Sequence, residues 1–423
     1  MTIRSTCIAL GLLALPGMAL ADQPRIAHPG FLPPPSAVRS ALEQSPWLAE
    51  GRANVATARA EAEILRLGPH ETVLGAEHTN RRVKGEGEYS EWSLEASRSF
   101  RLPGKAGLDA GAGKATLEAA ANGLADLLHQ RSADFADQWV SMLEARERRE
   151  IEEAEALAYA RQTRALSRRV ELAHASVLEL ETAQSAEARA RAALAGAKGD
   201  EARARALLES SYPGLLPATP PRLPAPEAPA GLDQFADLVV SRSHEIAQAR
   251  ALADREQALS RRARLDRLAD PTIGLRTFSE RGGEETGLGL FVSVPFSGPR
   301  RSAEADRQAA QATAALTRLA LTRRRVAAAA VQDIADIRAA QEVWTGARAA
   351  LQAAEGAARR TERAYELGES DLVDALAARR FAFEAARAEL ASRAAAHRAI
   401  LRLALDAHEL WLADEGPDGA HTD

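Results

Sequence analysis

The sequence predicts a mainly α-helical chain with a small β part, built as an internal duplication. Three observations carry that expectation: an apolar content dominated by alanine and poor in aromatics, two proline-free stretches of over 100 residues, and four short segments of alternating polarity. Apolar residues make up 46% of the 423 residues, but aromatics only 4%. A globular core normally draws its volume from Leu, Ile, Val and Phe. Small Ala side chains at this density favour helix and close helix–helix contact instead. The 54 basic and 59 acidic side chains are interspersed and sum to -5. That balance makes no basic surface for nucleic acid, and the alternating charges read as solvated helix faces.

Taken in order, the chain opens with Arg4 and an apolar run from Ile8 to Leu20, closed by Ala19-Leu20-Ala21. This reads as an export signal over 1–21, with the mature chain starting at Asp22. Cys7, the one cysteine, lies inside that signal, so the mature chain is expected to have no thiol, disulfide or cysteine-linked lipid. No other stretch approaches the ~18 uncharged apolar residues of a membrane helix. An exported chain can still cross a membrane as a β-barrel.

Two halves follow, 22–212 and 232–413, joined by a Pro-rich linker at 213–231 and ended by a flexible tail at 414–423. Landmarks recur in the same order at a nearly constant offset. Ser45-Pro46-Trp47-Leu48-Ala49 matches Ser243-His244-Glu245-Ile246-Ala247. Ser93–Phe100 matches Gly289–Phe296, and Glu171–Glu179 matches Glu366–Asp374. Prolines set the boundaries, because proline is excluded from helix interiors. None of the 20 falls between Gly104 and Tyr212 or between Arg300 and Gly416. Each half therefore reads as a leading helix (Ser36–Leu67, Leu232–Leu268), two strands, and a long helical region broken once near its final third. The linker, YPGLLPATPPRLPAPEAPAG, is expected to be extended and semi-rigid.

The strands are read from their period of two. In Ser90–Phe100 one face carries Trp92, Leu94 and Phe100; in Thr286–Phe296 it carries Leu288, Leu290, Val292, Val294 and Phe296. Their partners are Thr72–Arg81 and Thr272–Ser279, across the loops Arg82–Glu88 and Glu280–Glu285. Each is roughly 9 to 11 residues, the length a tilted strand needs to cross a bilayer. Export and twofold repetition favour a lipid-facing reading over a soluble hairpin. Four strands cannot close a barrel, and open edges are not tolerated in lipid, so further copies must complete the sheet. The stretch from Gly104 to about Arg168 would reach ~100 Å as one helix. Helices this long pack side by side, with Ala at close approaches and residues such as Trp139 and Trp344 in wider gaps. Lys105, Arg300 and Arg301 follow strands directly and are expected at the membrane boundary.

Tyr365-Glu366-Leu367-Gly368-Glu369-Ser370-Asp371-Leu372-Val373-Asp374-Ala375-Leu376-Ala377-Ala378 reads as a helix, a turn stopped by Gly368, and a new helix capped by Ser370 or Asp371. This segment resembles the helix-turn-helix at the periplasmic tip of TolC-like outer membrane factors. The segments Phe100-Arg101-Leu102-Pro103-Gly104-Lys105 and Phe296-Ser297-Gly298-Pro299-Arg300-Arg301 also resemble that family, and the Leu-Pro-Gly-Lys form is similar to its heavy-metal branch. The resemblance covers nearly the whole mature length. It implies a homotrimeric, 12-stranded β-barrel in the outer membrane, continuous with a long periplasmic α-helical barrel. It implies, as partners, outer-membrane lipid, a periplasmic adaptor and an inner-membrane pump, often of the RND class. Such a chain is a passive exit duct of a tripartite efflux or type I secretion system, and not an enzyme.

The family carries acidic residues at the constricted periplasmic entrance. By motif, Asp374 matches the first aspartate of its Val-Asp-x-Leu-Asp pattern, while the second position is Ala377 here. By internal offset the first-half counterpart of Asp374 is Glu179. A ring of Asp374 and Glu179 would hold cations and water at the mouth; ordinary exposed helix carboxylates are the plainer reading. Leu172, Ala173, His174, Ala175 and Ser176, with Leu367, Gly368, Glu369, Ser370 and Asp371, are the residues assigned to adaptor contact. No phosphate loop, CxxC or HExxH occurs, and the 9 His include no i, i+4 pair, so neither a cofactor nor a metal site is expected. The competing class is a soluble periplasmic coiled-coil adaptor or scaffold.

Overall fold

The structure, a computed structural model, describes residues 26–296 and 298–411. The expected export signal and C-terminal tail lie outside the described residues. Eight α-helices and one four-stranded sheet make up the described fold, and the two halves repeat one succession. The first half runs α1 (Pro35–Glu43), α2 (Pro46–Leu67), β1 (Thr72–Val83), β2 (Gly87–Ser99), α3 (Lys105–Glu171) and α4 (Val177–Ser211). The second runs α5 (Phe235–Arg242), α6 (His244–Leu265), β3 (Thr272–Glu280), β4 (Glu285–Ser293), α7 (Pro299–Leu367) and α8 (Leu372–Asp406). Matching helices have matching lengths: 22 residues for α2 and α6, 67 and 69 for α3 and α7, and 35 for both α4 and α8.

Two expectations need correction. The leading helix is broken at Gln44–Ser45, and Pro46 opens α2 rather than sitting inside one helix. Proline lacks the N–H an interior position must donate, but is suited to the first turn. The second-half helix breaks at the equivalent Ser243, whose hydroxyl accepts from Ile246 N–H and starts α6. The loops between paired strands are also shorter than expected. Only Lys84–Glu86 separate β1 and β2, and a single turn at Arg281–Gly283 with Glu284 joins β3 to β4.

The helices form one layer four helices wide. Beside the sheet α3 packs between α2 and α6, with α7 outside α6. Farther away α3 packs between α4 and α8, with α7 outside α8. The close approach expected of small residues is seen where α3 meets α2: a methyl added at Gly113 would stand 2.9 Å from Ala62 Cα. Larger side chains gather midway along the helices, where Phe135, Trp139, Leu143, Tyr212, Leu390 and Leu401 form a core closed by Phe31 from the leading segment. The Pro-rich segment forms neither helix nor strand and is strapped across this waist. Its prolines cannot donate, so the helices donate to it: Arg393 to Leu223 O (2.6 Å), His397 to Pro224 O (2.9 Å) and Gln341 to Pro226 O (3.2 Å).

Candidate functional site

The sheet has the order β1-β2-β3-β4, all antiparallel, so β1 and β4 are open edges within one chain. Register assigns every residue to a face, since directly paired residues share one. One face carries the rungs Leu74–Ala96–Leu275–Leu290 and Ala76–Leu94–Thr277–Leu288, flanked by Trp92 at the turn end and by Val292 at the helix end. The apolar side chains of these rungs are exposed, Leu288 at 78% and Leu74 at 79%. All eight residues singled out from sequence, Trp92, Leu94, Phe100, Leu288, Leu290, Val292, Val294 and Phe296, are exposed; the register sets Trp92, Leu94, Leu288, Leu290 and Val292 on this side, while Phe100, Val294 and Phe296 follow the ends of β2 and β4. From Trp92 to Phe100 the band runs about 27 Å along the strand, or about 21 Å once tilted by ~40°, near the ~25 Å of an outer-membrane barrel. The opposite face carries Glu77, Glu91, Glu95, Arg81 and Arg276, with Gly75, Gly274, Gly287 and Gly289. The sheet thus presents one apolar and one charged, glycine-rich face.

Where the sheet meets the helices, one carboxylate ties three chain crossings together. Asp270, just before β3, accepts from Lys105 Nζ at the start of α3 (2.7 Å), from Leu102 N–H just after β2 (3.0 Å), and bonds His70 Nε2 just before β1 (2.8 Å). Burial alone would raise its pKa. The bonds from Lys105, His70 and Leu102 outweigh that and hold it at about 2. Lys105 is 1% exposed and also meets Asp266 (2.8 Å) and Leu268 O (2.8 Å). Lys105 stands just after β2, where sheet meets helices, and its ammonium is buried because three oxygens replace its water. Arg101 extends the network, donating to Leu65 O, Arg66 O and Leu67 O at the end of α2 and to Asp109, which Arg262 also contacts. Sequence reading missed this set. The three groups that bond Asp270 lie 165 to 200 residues from it, and no local pattern marks them.

At the far end each half turns once. After α3 the chain passes through Leu172, Ala173 at φ 56°, His174 and Ala175 to Ser176. After α7, Leu367 and Gly368, at φ 78°, lead through Glu369 and Ser370 to Asp371. Ser176 Oγ accepts from Glu179 N–H (3.1 Å), and the Glu179 carboxylate accepts from Ser176 N–H (2.7 Å), a reciprocal cap on α4. That backbone bond, with the Ser176 hydroxyl, lowers the pKa of Glu179. In the second half Asp371 accepts from Asp374 N–H (2.8 Å), and the Asp374 carboxylate accepts weakly from Ser370 (3.3 Å). Asp374 and Glu179 thus hold the same third helical position, both at the tip. Glu179 is committed to its cap and Asp374 is the freer carboxylate. Exposed apolar side chains cluster around these turns: Leu172, Val177, Leu178, Leu367 and Val373. A contact legible only in three dimensions joins the two turns: Arg169 donates to Tyr365 Oη (3.0 Å) and lies over its ring. Arg379 on α8 bridges to Gln162 on α3 and Glu362 on α7.

Among the described residues, no helix is long and apolar enough to cross a membrane, and no group of three acidic, His or Cys side chains is arranged to hold a metal. The waist holds a buried charged cluster instead. His129 meets Asp406 (2.9 Å), and His244 stacks on His408 with centroids 4.6 Å apart. Burial, then the neighbouring Asp406, pushes the Asp333 carboxyl up to about 7.

This architecture is the fold of outer-membrane channels. It is similar to the outer-membrane channel OprN at a TM-score of 0.78 and 17% identity, covering 89% of this chain and 90% of that one. CusC, described in terms of folding and transmembrane channel formation, matches at 0.76 and 15%, covering 88% and 91%. The open state of the MtrE outer membrane channel of Neisseria gonorrhoeae matches at 0.69 and 18%, covering 96% and 99%. At these identities the likeness is one of fold. No protein-family model and no curated protein matches the sequence.

Proposed function

We propose that three copies of this chain close their sheets into one 12-stranded barrel in the outer membrane and their helices into a periplasmic tube. The assembly is a passive exit duct for substrate delivered by an inner-membrane pump of the RND class, and it carries out no reaction. One observation carries the reading: a four-stranded sheet with an exposed apolar face and two unpaired edges stands at one end of helices ~100 Å long. An edge in lipid costs several kcal/mol per unpaired group, so β1 of one copy must pair with β4 of the next. The outer helix α7 supports the same closure, with Leu316, Leu321, Val331 and Val343 exposed in a single chain. The turns at Leu172–Ser176 and Leu367–Asp371 then form the periplasmic mouth and meet a periplasmic adaptor. Asp374 from each copy, with Glu179 beside it, lines that mouth and favours cations. The Leu102-Pro103-Gly104-Lys105 segment makes metal ions one candidate cargo.

The test is fractionation followed by planar-bilayer recording of the detergent-purified chain. The reading expects recovery with sarkosyl-insoluble outer membrane and discrete conductance steps. A freely soluble periplasmic protein that leaves bilayers silent would overturn it.

A further inference from the structure

Two phenylalanines stand on the charged face of the sheet, where the alternation leaves little else apolar. Phe278 on β3 pairs directly with Gly287 on β4, and Phe291 on β4 pairs directly with Gly274 on β3. Both rings lean across the strand pair onto the glycine opposite. A methyl added at Gly287 would stand 2.5 Å from Phe278 Cε1, and one added at Gly274 would stand 2.5 Å from Phe291 Cε1. Real Cβ atoms do not approach ring carbons so closely, so each ring tip occupies the space a side chain would fill. Phe278 and Phe291 are accordingly only half-exposed. Glycine opposite an aromatic is a known way to stiffen a sheet. Here the arrangement also decides how far the ring stands off the sheet. A ring lying on backbone stands about 3.7 Å above it. An upright ring reaches well beyond that.

The register orders three successive rungs on this face. Glu77–Ser93–Phe278–Gly287 lies toward the tight turns, Gly75–Glu95–Arg276–Gly289 is in the middle, and Val73–Ser97–Gly274–Phe291 lies toward the helices. In a 12-stranded barrel with strands about 4.8 Å apart and tilted about 40°, the backbone diameter is about 24 Å. Three copies place three Phe278 rings at one height and three Phe291 rings at another. Rings upright at either height would narrow that bore at three points. We propose that Gly274 and Gly287 are bore-setting residues: each is a notch that lays a phenylalanine flat, keeping the outer-membrane section open to bulky solutes. This rests on the duct reading above, which makes the charged face the lumen.

The test uses a single reporter, Val73→Cys, in a chain whose other cysteine, Cys7, falls in the expected leader. Val73 is 60% exposed on the lumen-assigned face, and a reagent entering from outside must pass the Phe278 rung to reach it. Intact cells are treated with a small maleimide and with a bulky polymer-linked one. With the sheet otherwise unchanged, both label. Adding Gly287→Ala should slow the bulky reagent by about tenfold, since passage near the steric limit depends steeply on pore diameter. The small reagent should react as before, and Gly287→Ala with Phe278→Ala should restore the bulky rate. Gly289→Ala is the control on the same strand and face, because a methyl there meets only Arg276 O, at 4.0 Å. Where Gly287→Ala does not reach the membrane, Gly274→Ala with Ser97→Gly, against the same pair with Phe291→Ala, gives the comparison, because a methyl at Gly274 would also stand 2.8 Å from Ser97 Cβ. Bulky labelling that Gly287→Ala leaves unchanged overturns the bore-setting role while the duct stands. A Val73→Cys chain that takes up neither reagent overturns the lumen assignment, and this inference with it.

Discussion

Removing the Lys105 ammonium should loosen the sheet from its helices, and acid should do part of the same work in the unaltered chain. Asp270 has an ordinary pKa of 3.8, held down to about 2 in the folded protein. A carboxylate with a depressed folded pKa stabilises the fold above its unfolded pKa, and that contribution fades as pH falls toward the folded value. The 1.8-unit difference is worth about 2 kcal/mol, present at pH 7 and lost between about pH 4 and pH 2. Its largest favourable source is the hydrogen bond from Lys105, which is 1% exposed and serves Asp266 and Leu268 O as well. Lys105→Met keeps the length of the side chain and removes the charge. Two carboxylates then remain at the junction without their shared cation, a loss of about 3–5 kcal/mol for a buried pair broken on one side. Thermal unfolding followed by circular dichroism in detergent, at one scan rate, should show the variant melting well below the parent at pH 7. The gap should shrink as pH falls from 4 to 2. A variant as stable as the parent at pH 7, or a gap independent of pH, would refute the role given to this ion pair.

Other sites give independent tests. Asp374→Asn should lower the cation-over-anion permeability ratio of single channels, and an unchanged ratio would remove this carboxylate from the entrance. Ser176→Ala should cost about 1 kcal/mol by opening the reciprocal cap with Glu179, read as faster amide exchange over residues 176–180. Leu290→Arg puts a charge in the middle of the exposed apolar face and should cost about 2–4 kcal/mol, read as reduced recovery in the outer membrane. Asp333, raised to about 7, holds its proton in the folded chain while the unfolded chain releases it near 3.8, so stability falls as pH rises between those values. Asp333→Asn should therefore melt above the parent at pH 8 and close to it at pH 4; equal gaps at both would dismiss the account.

Features carried by short-range pattern were legible in the sequence. The period of two in Ser90–Phe100 separated an apolar from a polar face, and the register carries that separation across the sheet, with Val73, Phe278 and Phe291 standing on the polar side. Gly368 marked a helix stop and Ser370 or Asp371 a helix start; Gly368 ends α7 at φ 78°, and Asp371 is the cap of α8. The break before Pro46 could have been read from the rule that confines proline to the first turn, but the apolar spacing on either side ran smoothly through it. What stayed hidden depends on distance along the chain. Asp270 looks like any acidic residue before a strand until Lys105, 165 residues away, is placed beside it. Arg169 and Tyr365 are 196 residues apart, and nothing near either foretells the bond. Alternation set Gly287 and Phe291 on one face, but only the register sets Phe278 opposite Gly287. The acidic pair at the tip was found by motif and offset; that Glu179 is spent on its own helix cap needed the coordinates of its carboxylate.

The number of chains in the detergent-extracted particle tests the central claim most directly. Native mass spectrometry of the protein drawn gently from outer membrane should report three chains, joined through the edges that β1 and β4 leave open in one. A particle holding a single chain, with those two edges freely exchanging their amide hydrogens, would contradict the account.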